Sequence, residues 1–395
     1  MSFRVLVLGG YGTFGSRIAR RLVQTPPSCP PSKVTSLVVA GRDAAKAQAF
    51  AASLPGEVAT GIGLDCSDDA ALRAACAQAD CVVHTVGPFQ YSAGADPFSV
   101  PRAAIESGAS YVDISDARRW VCDFRDALDA LARAHGVCAV SGASSVPGLS
   151  SAAVDLIRPA TIDTIDIGIN PGNQTPRGLA TVRAILSYCG KDIACTRDGR
   201  AATVVGWLGA HWRAYPGAIG RRLLSHCDVP DIELFPRHYG ARSVLFSAGL
   251  ELAPLHLATC LLAVPVRLGL VADVAAYARP LAWLSERLKP LGSTRGALHV
   301  EVAGAGADGA EERRTFFLCA DNGVGNPTLE NTPGAIAGPE IPVTPAVVLV
   351  HKLAEAAARR EPLPLASGAY PCISLFTIDE AMASMEGMKV WTEAH

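Results

Sequence analysis

Residues 3–15 read FRVLVLGGYGTFG, an apolar run followed at once by closely spaced glycines. The apolar half is typical of a buried parallel strand, and the glycines have the spacing Gly10-x-Gly12-x-x-Gly15. We expect Gly10 to permit a tight turn, Gly12 to let the backbone approach phosphates, and Gly15 to let a following helix pack on the strand. The N-terminus of such a helix attracts phosphate through its free N–H groups and its dipole. The stretch therefore predicts a dinucleotide site formed by Gly10, Gly12, Thr13, Phe14 and Gly15, with an ordinary glycine turn as the alternative.

The composition indicates a chain that buries a large core and has almost no net charge. Its 395 residues are 49% hydrophobic and 18% charged, and the formal net charge is −2. No long basic run appears, so we expect no nucleic-acid partner. The twelve cysteines form no Cys-x-x-Cys pair, which predicts free thiols in a reducing cytoplasm and no metal site.

The first 145 residues alternate between strand-like and helix-like patterns. Repeated βα units with nearly continuous apolar strands specify a parallel, doubly wound Rossmann sheet with helices on both faces. Beyond residue 146 the alternation is lost and antiparallel strand patterns appear, which predicts a second, α+β domain with a mixed sheet over 146–340. We expect residues 341–395 to form a C-terminal helix and tail that pack back on the Rossmann domain.

The segment 244–288 is rich in leucine, and we predict it to be mostly helical. Its most apolar part, residues 252–266, is fifteen residues long and contains two prolines, whereas a membrane-spanning helix needs about 20 apolar residues. Three interpretations stay open for this segment. It is a core helix, a contact with a partner chain such as a homodimer, or a face that contacts an apolar substrate or a membrane surface.

The end of the second strand distinguishes the two nicotinamide cofactors. NAD-specific domains commonly have an acidic residue there, which binds the ribose 2′-hydroxyl. Here the strand ends Ala40-Gly41-Arg42-Asp43. We expect the Arg42 guanidinium to hold the 2′-phosphate of NADP and Asp43 to cap the next helix, while a solvated loop arginine is the alternative.

Two further strand ends complete the predicted cofactor groove. Asp65 follows the third strand, where it is placed either to contact the adenine or to cap a helix. Val86, Gly87 and Pro88 follow the fourth strand and are expected beside the nicotinamide ribose. Gly87 allows close approach there and Pro88 stiffens the turn, although a plain strand-to-helix loop explains both residues equally simply.

The catalytic candidates are polar side chains at the carboxyl ends of strands, where open α/β sheets bind ligands. Tyr91 follows the turn at 86–88, and Asp113 and Asp116 come at the end of the fifth strand. Each is a candidate proton donor, since reduction of an imine or a ketone requires one. For Asp113 the alternative is that its carboxylate holds a loop by accepting hydrogen bonds from backbone N–H groups.

The order of these motifs resembles the saccharopine dehydrogenase-like oxidoreductases. The matching pieces are GGYGTFG at the start, AGR after the second strand, HTVGPF after the fourth, SGASYVDIS at the fifth, and SGASSVPGLSSAAVD where the first domain ends. The resemblance is good over residues 1–150 and fades beyond them. It implies an NADP-binding Rossmann domain joined to a mixed α/β domain, and reduction of an imine formed between an amine and an aldehyde or keto acid.

We therefore predict an NADP-dependent oxidoreductase that transfers a hydride to an imine, carbonyl or activated alkene of a fairly apolar small molecule. The leucine-rich segment 244–288 favours an apolar substrate, because no cluster of Arg and Lys suited to several substrate carboxylates is evident. Two alternatives remain open at this point. One is a non-catalytic dinucleotide-binding or membrane-associated scaffold, and the other is an amino-acid-forming enzyme similar to saccharopine reductase.

Overall fold

The computed structural model describes residues 2–26, 29–87, 89, 96–176, 178–322, 337–362 and 365–395. The chain forms two compact units, each made from two separate stretches of sequence. Met1–Ala152 and Glu340–Gly387 form the first unit, and Ala153–Pro339 and Met388–His395 form the second. The C-terminal segment is thus divided between the units, because its last eight residues leave the first unit and join the sheet of the second.

The first unit is an alternating α/β structure whose strands form one sheet. Its N-terminal elements are β1 (Phe3–Leu8), α1 (Gly15–Val23), β2 (Val34–Gly41), α2 (Ala44–Ala52), β3 (Ala59–Gly63), α3 (Asp69–Cys76), β4 (Cys81–His84), α4 (Ser99–Glu106), β5 (Ser110–Asp113), α5 (Arg118–Ala134) and β6 (Cys138–Ser141). Its C-terminal elements are α11 (Thr344–Arg359), β15 (Gly368–Pro371) and α12 (Ile378–Ser384). All neighbouring strands are parallel, in the order β15-β6-β5-β4-β1-β2-β3. This confirms the predicted doubly wound Rossmann sheet.

The local sequence explains why the first unit folds in this way. Residues 5–8 of β1 are buried on both faces, as expected for a central parallel strand covered by helices. Asp43 caps α2 by accepting a hydrogen bond from the Lys46 N–H at 3.0 Å, which confirms the predicted cap. Asp68 does the same for α3 through the Ala71 N–H at 3.0 Å. The strand order reverses between β1 and β4, and open sheets of this kind bind ligands in the crevice at that point.

The C-terminal stretch adds a seventh strand and a helix that packs on α1. β15 pairs with β6 at the edge of the sheet, and α11 lies against α1 and α12. A buried ion pair of 2.6 Å joins Arg17 of α1 to Glu340, which lies just before α11. The helix that follows the glycine motif is therefore held by residues more than three hundred positions away in sequence.

The second unit contains a nine-stranded mixed sheet. Its elements are α6 (Ser150–Ile157), which begins in the first unit, β7 (Thr164–Asn170), α7 (Leu179–Ser187), β8 (Asp192–Arg197), β9 (Arg200–Val205), β10 (His211–Tyr215), β11 (Gly220–His226), α8 (Asp231–Tyr239), β12 (Ser243–Gly249), α9 (Ala253–Arg267), α10 (Ala278–Leu288), β13 (Gly296–Ala305), β14 (Glu311–Ala320) and β16 (Val390–Ala394). The main path runs β10-β11-β12-β7-β13-β14-β16, and the β8–β9 hairpin joins it at β12. β7 and β12 are parallel, and the other neighbours are antiparallel. The predicted α+β domain with a mixed sheet is confirmed.

The segment 244–288 differs from the prediction at its start. Residues 243–249 form strand β12 in the interior of the sheet, so the helical part begins only at Ala253. Val244 and Phe246 are buried on one side of this strand, with the two-residue period of a sheet. The prediction was wrong here because a short apolar run has no period long enough to separate a strand from a helix.

One described helical stretch, Gly338–Arg359, is long and apolar enough to span a bilayer by length and composition, with a mean hydropathy of 1.3. However, 67% of its apolar window is buried within the structure, where α11 packs on α1. Such burial is typical of the core helix of an α/β domain.

Candidate functional site

The glycine motif forms the loop between β1 and α1. The N–H groups of Gly9 and Gly10 both donate to the Ala40 carbonyl of β2, at 2.9 and 3.1 Å, and the Gly12 N–H donates to the Gly9 carbonyl at 2.8 Å. The left-handed residue of the turn is Gly9, with a φ of 76°, which the sequence analysis did not single out. Gly10 excludes a side chain for a different reason, since a Cβ there would lie 2.9 Å from the Val7 carbonyl oxygen.

The start of α1 presents unused backbone donors. The N–H groups of Thr13, Phe14 and Gly15 have no hydrogen-bond acceptor among the residues that the structure describes. Thr13 and Gly12 are exposed, whereas Gly15 is buried and a Cβ on it would collide with the Gly9 carbonyl oxygen. Neither a capping side chain nor an acidic residue occupies the first turn of α1. The loop is therefore an open cradle of N–H groups, which suits a pyrophosphate.

Arg42 lies at the tip of β2, beside this cradle. Its side chain is exposed and makes no ion pair with any described residue. It lies close enough to Asp65 to lower the pKa of that carboxyl, although the larger cause is the hydrogen bond from the Ser67 N–H. The Asp65 Oδ1 accepts from both the N–H and the hydroxyl of Ser67, at 3.0 and 2.8 Å, so this side chain shapes the turn after β3.

Tyr11 is a residue of this site that the sequence reasoning missed. Its hydroxyl oxygen accepts a hydrogen bond of 3.0 Å from the Asp43 N–H, and its ring lies directly against Gly41. The glycine loop is thereby tied to the tip of β2, next to Arg42. The signal was present in the sequence as an aromatic residue within GGYG, followed by a glycine at the end of β2 that leaves room for the ring.

The loop after β4 forms the other wall of the crevice. Thr85 donates from its hydroxyl to the Leu8 carbonyl at 2.7 Å, which joins β4 to the start of the cradle. Val86 and Gly87 are exposed, and a Cβ on Gly87 would meet no atom nearer than 3.9 Å. The backbone at 86–87 is therefore open to a ligand. Pro88 and the predicted proton donor Tyr91 lie outside the described residues.

Asp113, at the end of β5, is fully buried and completely hydrogen-bonded. Its Oδ1 accepts from the Ser115 N–H, the Gly142 N–H and the Ser141 hydroxyl at 2.9–3.0 Å. Its Oδ2 accepts from the Trp120 Nε1–H at 2.9 Å and the Tyr111 hydroxyl at 3.1 Å. Burial raises the pKa of the carboxyl, against the lowering effect of these donors. The geometry favours the loop-holding alternative for Asp113, because the donors occupy both oxygens.

The same network continues to His84 at the end of β4. The Tyr111 hydroxyl lies 2.8 Å from His84 Nδ1, and since it donates its proton to Asp113, the imidazole supplies the proton of this second bond. Burial lowers the pKa of His84 to about 3, so the ring is neutral at physiological pH. Asp116, three residues beyond Asp113, is the more accessible of the two predicted carboxylates. The surrounding chain still desolvates it enough to raise the pKa of its carboxyl.

The described residues contain no candidate metal site. No group of three or more His, Cys, Asp or Glu side chains there is arranged to hold an ion. All twelve cysteines are free thiols, and burial raises the pKa of several, such as Cys76 to about 12. Reactive thiolates are stabilised by nearby positive charge, but at Cys76 the effect of burial outweighs that of the nearby Arg73.

Comparison with protein families identifies the first unit. Residues 5–140 match the model of the saccharopine dehydrogenase NADP-binding domain. These residues are a saccharopine dehydrogenase-type NADP-binding domain. The match confirms the resemblance drawn from the motifs and the predicted cofactor, NADP. The open N–H cradle and the exposed Arg42 fit that cofactor, with the first suited to its pyrophosphate and the second to its 2′-phosphate.

Two known proteins add to the comparison. A "Lipid droplet localized protein" of Caenorhabditis elegans is 29% identical over 153 residues, which is 37% of this chain and about a third, 34%, of the relative. The apo saccharopine dehydrogenase (L-Glu forming) of Saccharomyces cerevisiae aligns over 100% of both chains, with a TM-score of 0.64 and 16% identity. At that identity the likeness concerns the fold, which the NADP-binding domain and the mixed-sheet unit together reproduce.

Proposed function

We propose that this protein is an NADP-dependent oxidoreductase acting on an imine, carbonyl or activated alkene of a fairly apolar small molecule. The observation that carries the proposal is the open N–H cradle at Thr13–Gly15, at the point where the strand order of a parallel sheet reverses. If these backbone N–H groups were already bonded within the chain, the loop would have no donors for a phosphate and would indicate a degenerate Rossmann domain. Here the donors remain free, which supports retained cofactor binding.

In this proposal Arg42 and Tyr11 select NADP over NAD. The Arg42 guanidinium is free to donate two bonds to a 2′-phosphate, and the acidic residue next to it, Asp43, caps α2 through the Lys46 N–H. Tyr11 orients the tip, because its ring packs on Gly41 and its hydroxyl accepts from the Asp43 N–H. The tyrosine proton is left to donate to the phosphate.

The proposed substrate side of the crevice is apolar. Val86 is 41% exposed, and Phe89 packs edge-on against His84 and Trp120 with centroid distances of 4.9 and 5.2 Å. Bound NADPH supplies a hydride, so the chain itself has to position the electrophilic carbon, exclude water and provide a proton. The rigid His84–Tyr111–Asp113 network fixes the ends of β4 and β5 for that purpose.

The identity of the proton donor stays a prediction. The three candidate residues differ in how accessible their side chains are to a substrate. Asp116 is accessible, whereas both oxygens of Asp113 accept hydrogen bonds from the chain, and Tyr91 lies outside the described residues. Substitution of Asp116 by Asn tests the first candidate. It is expected to lower kcat while leaving NADPH affinity unchanged, because the residue does not lie in the cradle.

Cofactor binding tests the first half of the proposal. NADPH and NADH are titrated against the wild type, Arg42→Ala and the matched control Lys46→Ala, whose exposed side chain pairs only with Asp43. A lost charge-assisted bond pair of about 1.5 kcal/mol predicts a roughly tenfold weaker Kd for NADPH in Arg42→Ala. NADH affinity and the control variant should be unchanged. Equal affinity of the wild type for both cofactors would refute the role of Arg42.

Measurements of enzyme activity test the second half of the proposal, which is the reduction of a fairly apolar substrate. NADPH oxidation is followed with aldehyde–amine pairs, enones, and keto acids combined with amino acids. Turnover restricted to apolar aldehyde–amine pairs or enones supports the proposal, whereas turnover of keto acids with amino acids supports the amino-acid-forming alternative. NADPH binding without oxidation of NADPH by any member of the panel would favour the non-catalytic scaffold.

The proposal also includes the location of the protein in the cell and its oligomeric state, both of which stay predictions. We expect a cytoplasmic enzyme and a homodimer formed through the second unit. The worm relative is named for its location on lipid droplets, and the alignment covers about a third of it. Fractionation of cells into cytosol and floating lipid separates these locations, and analytical ultracentrifugation gives the oligomeric state.

A further inference from the structure

The second unit exposes an unusual number of large apolar side chains within one segment. Nine of its exposed hydrophobic residues fall between 257 and 291, and they are Leu257, Leu261, Val264, Leu268, Leu270, Tyr277, Trp283, Leu284 and Leu291. Their exposed fractions run from 41% to 75% and amount to on the order of 1,000 Å² of apolar surface. Single exposed hydrophobic residues are ordinary, but the largest apolar patch of a monomeric protein is typically about 300–600 Å².

Helix α9 places these residues on one outward face. Leu257, Leu261, Val264 and Leu268 follow each other at intervals of four, three and four residues, which puts them in one narrow stripe. The opposite face packs on β11 of the sheet. The stripe is about three turns long and contains no charged residue before Arg267.

The polarity of α9 is the reverse of that of an ordinary surface helix. Two of its polar side chains point inward: His256 is fully buried with Nε2 2.9 Å from the Ser225 hydroxyl, and Cys260 Sγ lies 3.4 Å from the same oxygen. A surface helix of a water-soluble protein normally turns its leucines inward and its polar residues outward. The sheet thus holds α9 by polar contacts and leaves the leucines uncovered.

Helix α10 adds aromatic and basic side chains to the same exposed segment. Trp283 is 59% exposed and Tyr277 is 57% exposed, and the Arg287 guanidinium lies over the Trp283 ring at 4.9 Å. The two acidic residues of the segment are already paired, Asp273 with Lys191 and Glu286 with Lys289. Arg279 and Arg287 make no ion pair within the described part of the chain, so the unneutralised charge around the leucines is positive.

We propose that α9 and α10 dock this protein on a phospholipid surface that carries anionic headgroups. Leucines directed outward on α9, followed along the chain by exposed aromatic rings and arginines without an ion pair on α10, are the features of helices that lie in a lipid interface. α9 has fifteen residues and contains Pro265, which suits a helix lying in the surface rather than one crossing it. A second copy of this chain would present the same positive charge, and the arginines would repel each other across the contact.

Flotation with extruded vesicles tests the docking. The full chain is mixed with phosphatidylcholine vesicles with and without phosphatidylserine, and with triolein droplets coated with the same lipids. We expect the wild type to float with all of them and most strongly with the anionic ones. Leu261→Ser/Leu268→Ser should weaken vesicle binding about a hundredfold, because two largely exposed leucines no longer enter the lipid.

Matched variants separate the electrostatic contribution to lipid binding from the apolar one. They also show whether loss of any exposed hydrophobic residue weakens binding. Arg279→Gln/Arg287→Gln should weaken binding to anionic vesicles roughly tenfold or more and leave binding to neutral vesicles unchanged. Leu156→Ser/Trp212→Ser removes exposed hydrophobic residues elsewhere in the second unit and should bind as the wild type does. NADPH affinity should be the same in every variant, so that failure of docking is distinguishable from failure of the proposed enzyme function.

Two results would overturn the proposal. One is a wild-type protein that does not float with any of these lipids. The other is a wild-type dimer that Leu261→Ser/Leu268→Ser converts to a monomer in analytical ultracentrifugation without any lipid binding by either form. That second result would assign the exposed face to a second copy of the chain.

Discussion

Removal of the buried carboxylate of Glu340 is expected to destabilise the first unit strongly. Glu340 and Arg17 have side chains only 1% and 4% exposed, and the Arg17 Nη1 donates to Glu340 Oε1 at 2.6 Å. The neighbouring Arg21 is also buried. It donates to the Glu340 carbonyl, the Thr344 hydroxyl, and the carbonyl and hydroxyl of Ser384, at 2.7–3.1 Å.

The size of the effect follows from the charges that would be left behind. Glu340→Gln preserves the shape of the side chain and one acceptor oxygen, but it removes the negative charge that faces the buried Arg17 and Arg21. Breaking a buried pair by neutralising one partner costs about 3–5 kcal/mol. Because Gln still accepts one hydrogen bond, we expect a loss of about 3 kcal/mol in the free energy of unfolding. A loss of that size lowers Tm by roughly 6–12 °C for a unit of this length.

Urea denaturation followed by tryptophan fluorescence measures the effect, and Trp120 reports on the first unit. Glu106→Gln is the matched control, because Glu106 pairs with Arg73 at the surface and should lose less than about 1 kcal/mol. Arg17→Met/Glu340→Leu should recover the part of the loss that comes from Arg17, since an apolar pair needs no countercharge, while the part that comes from Arg21 remains. Equal losses in Glu340→Gln and Glu106→Gln would refute the argument that burial makes the first pair important.

The cofactor loop, the Asp113 network and the buried imidazole each predict a separate outcome. Gly15→Ala forces a Cβ against the Gly9 carbonyl oxygen and should weaken NADPH binding at least about tenfold in calorimetric titration, and unchanged affinity would contradict the loop geometry. Asp113→Asn removes an acceptor from a network of five donors and should cost about 3 kcal/mol of stability, whereas a purely catalytic Asp113 would lose activity with its stability intact. His84 has a folded-state pKa of about 3, below its unfolded value, so the unfolded chain takes up the proton first and stability falls as the pH drops below about 6.5. Between pH 7.5 and 5 this contribution amounts to about 2 kcal/mol, which His84→Gln should abolish in paired denaturation curves, and identical pH dependence in both proteins would exclude it.

The cofactor end of the site could be predicted because its signals are local. Gly15 and the cap at Asp43 each act within a few residues of their own positions, and the strand–turn–helix pattern fixes where they lie. The left-handed conformation of Gly9 was not predicted, because neighbouring glycines are indistinguishable without φ angles. Tyr11 was missed because its partner at residue 43 belongs to the next βα unit.

The catalytic end could not be assigned from the sequence, because its two aspartate candidates differ in burial and not in residue type. Asp113 and Asp116 are both aspartates just after a strand. One points into the domain, where five donors from three parts of the chain surround it, and the other is exposed. Sequence spacing does not report which side of a loop faces solvent.

The sequence by itself determined the Rossmann sheet and its NADP cradle, because alternating βα units and a glycine turn are written in residues close together along the chain. The tertiary structure decided three further features. It inserted residues 368–371 and 390–394 into two different sheets, it buried Glu340 beside Arg17, and it turned the leucines of α9 outward. The physical reason is common to all three. A pattern along the chain shows that an apolar face or an unpaired strand edge exists, but only the packing of distant segments determines what covers it.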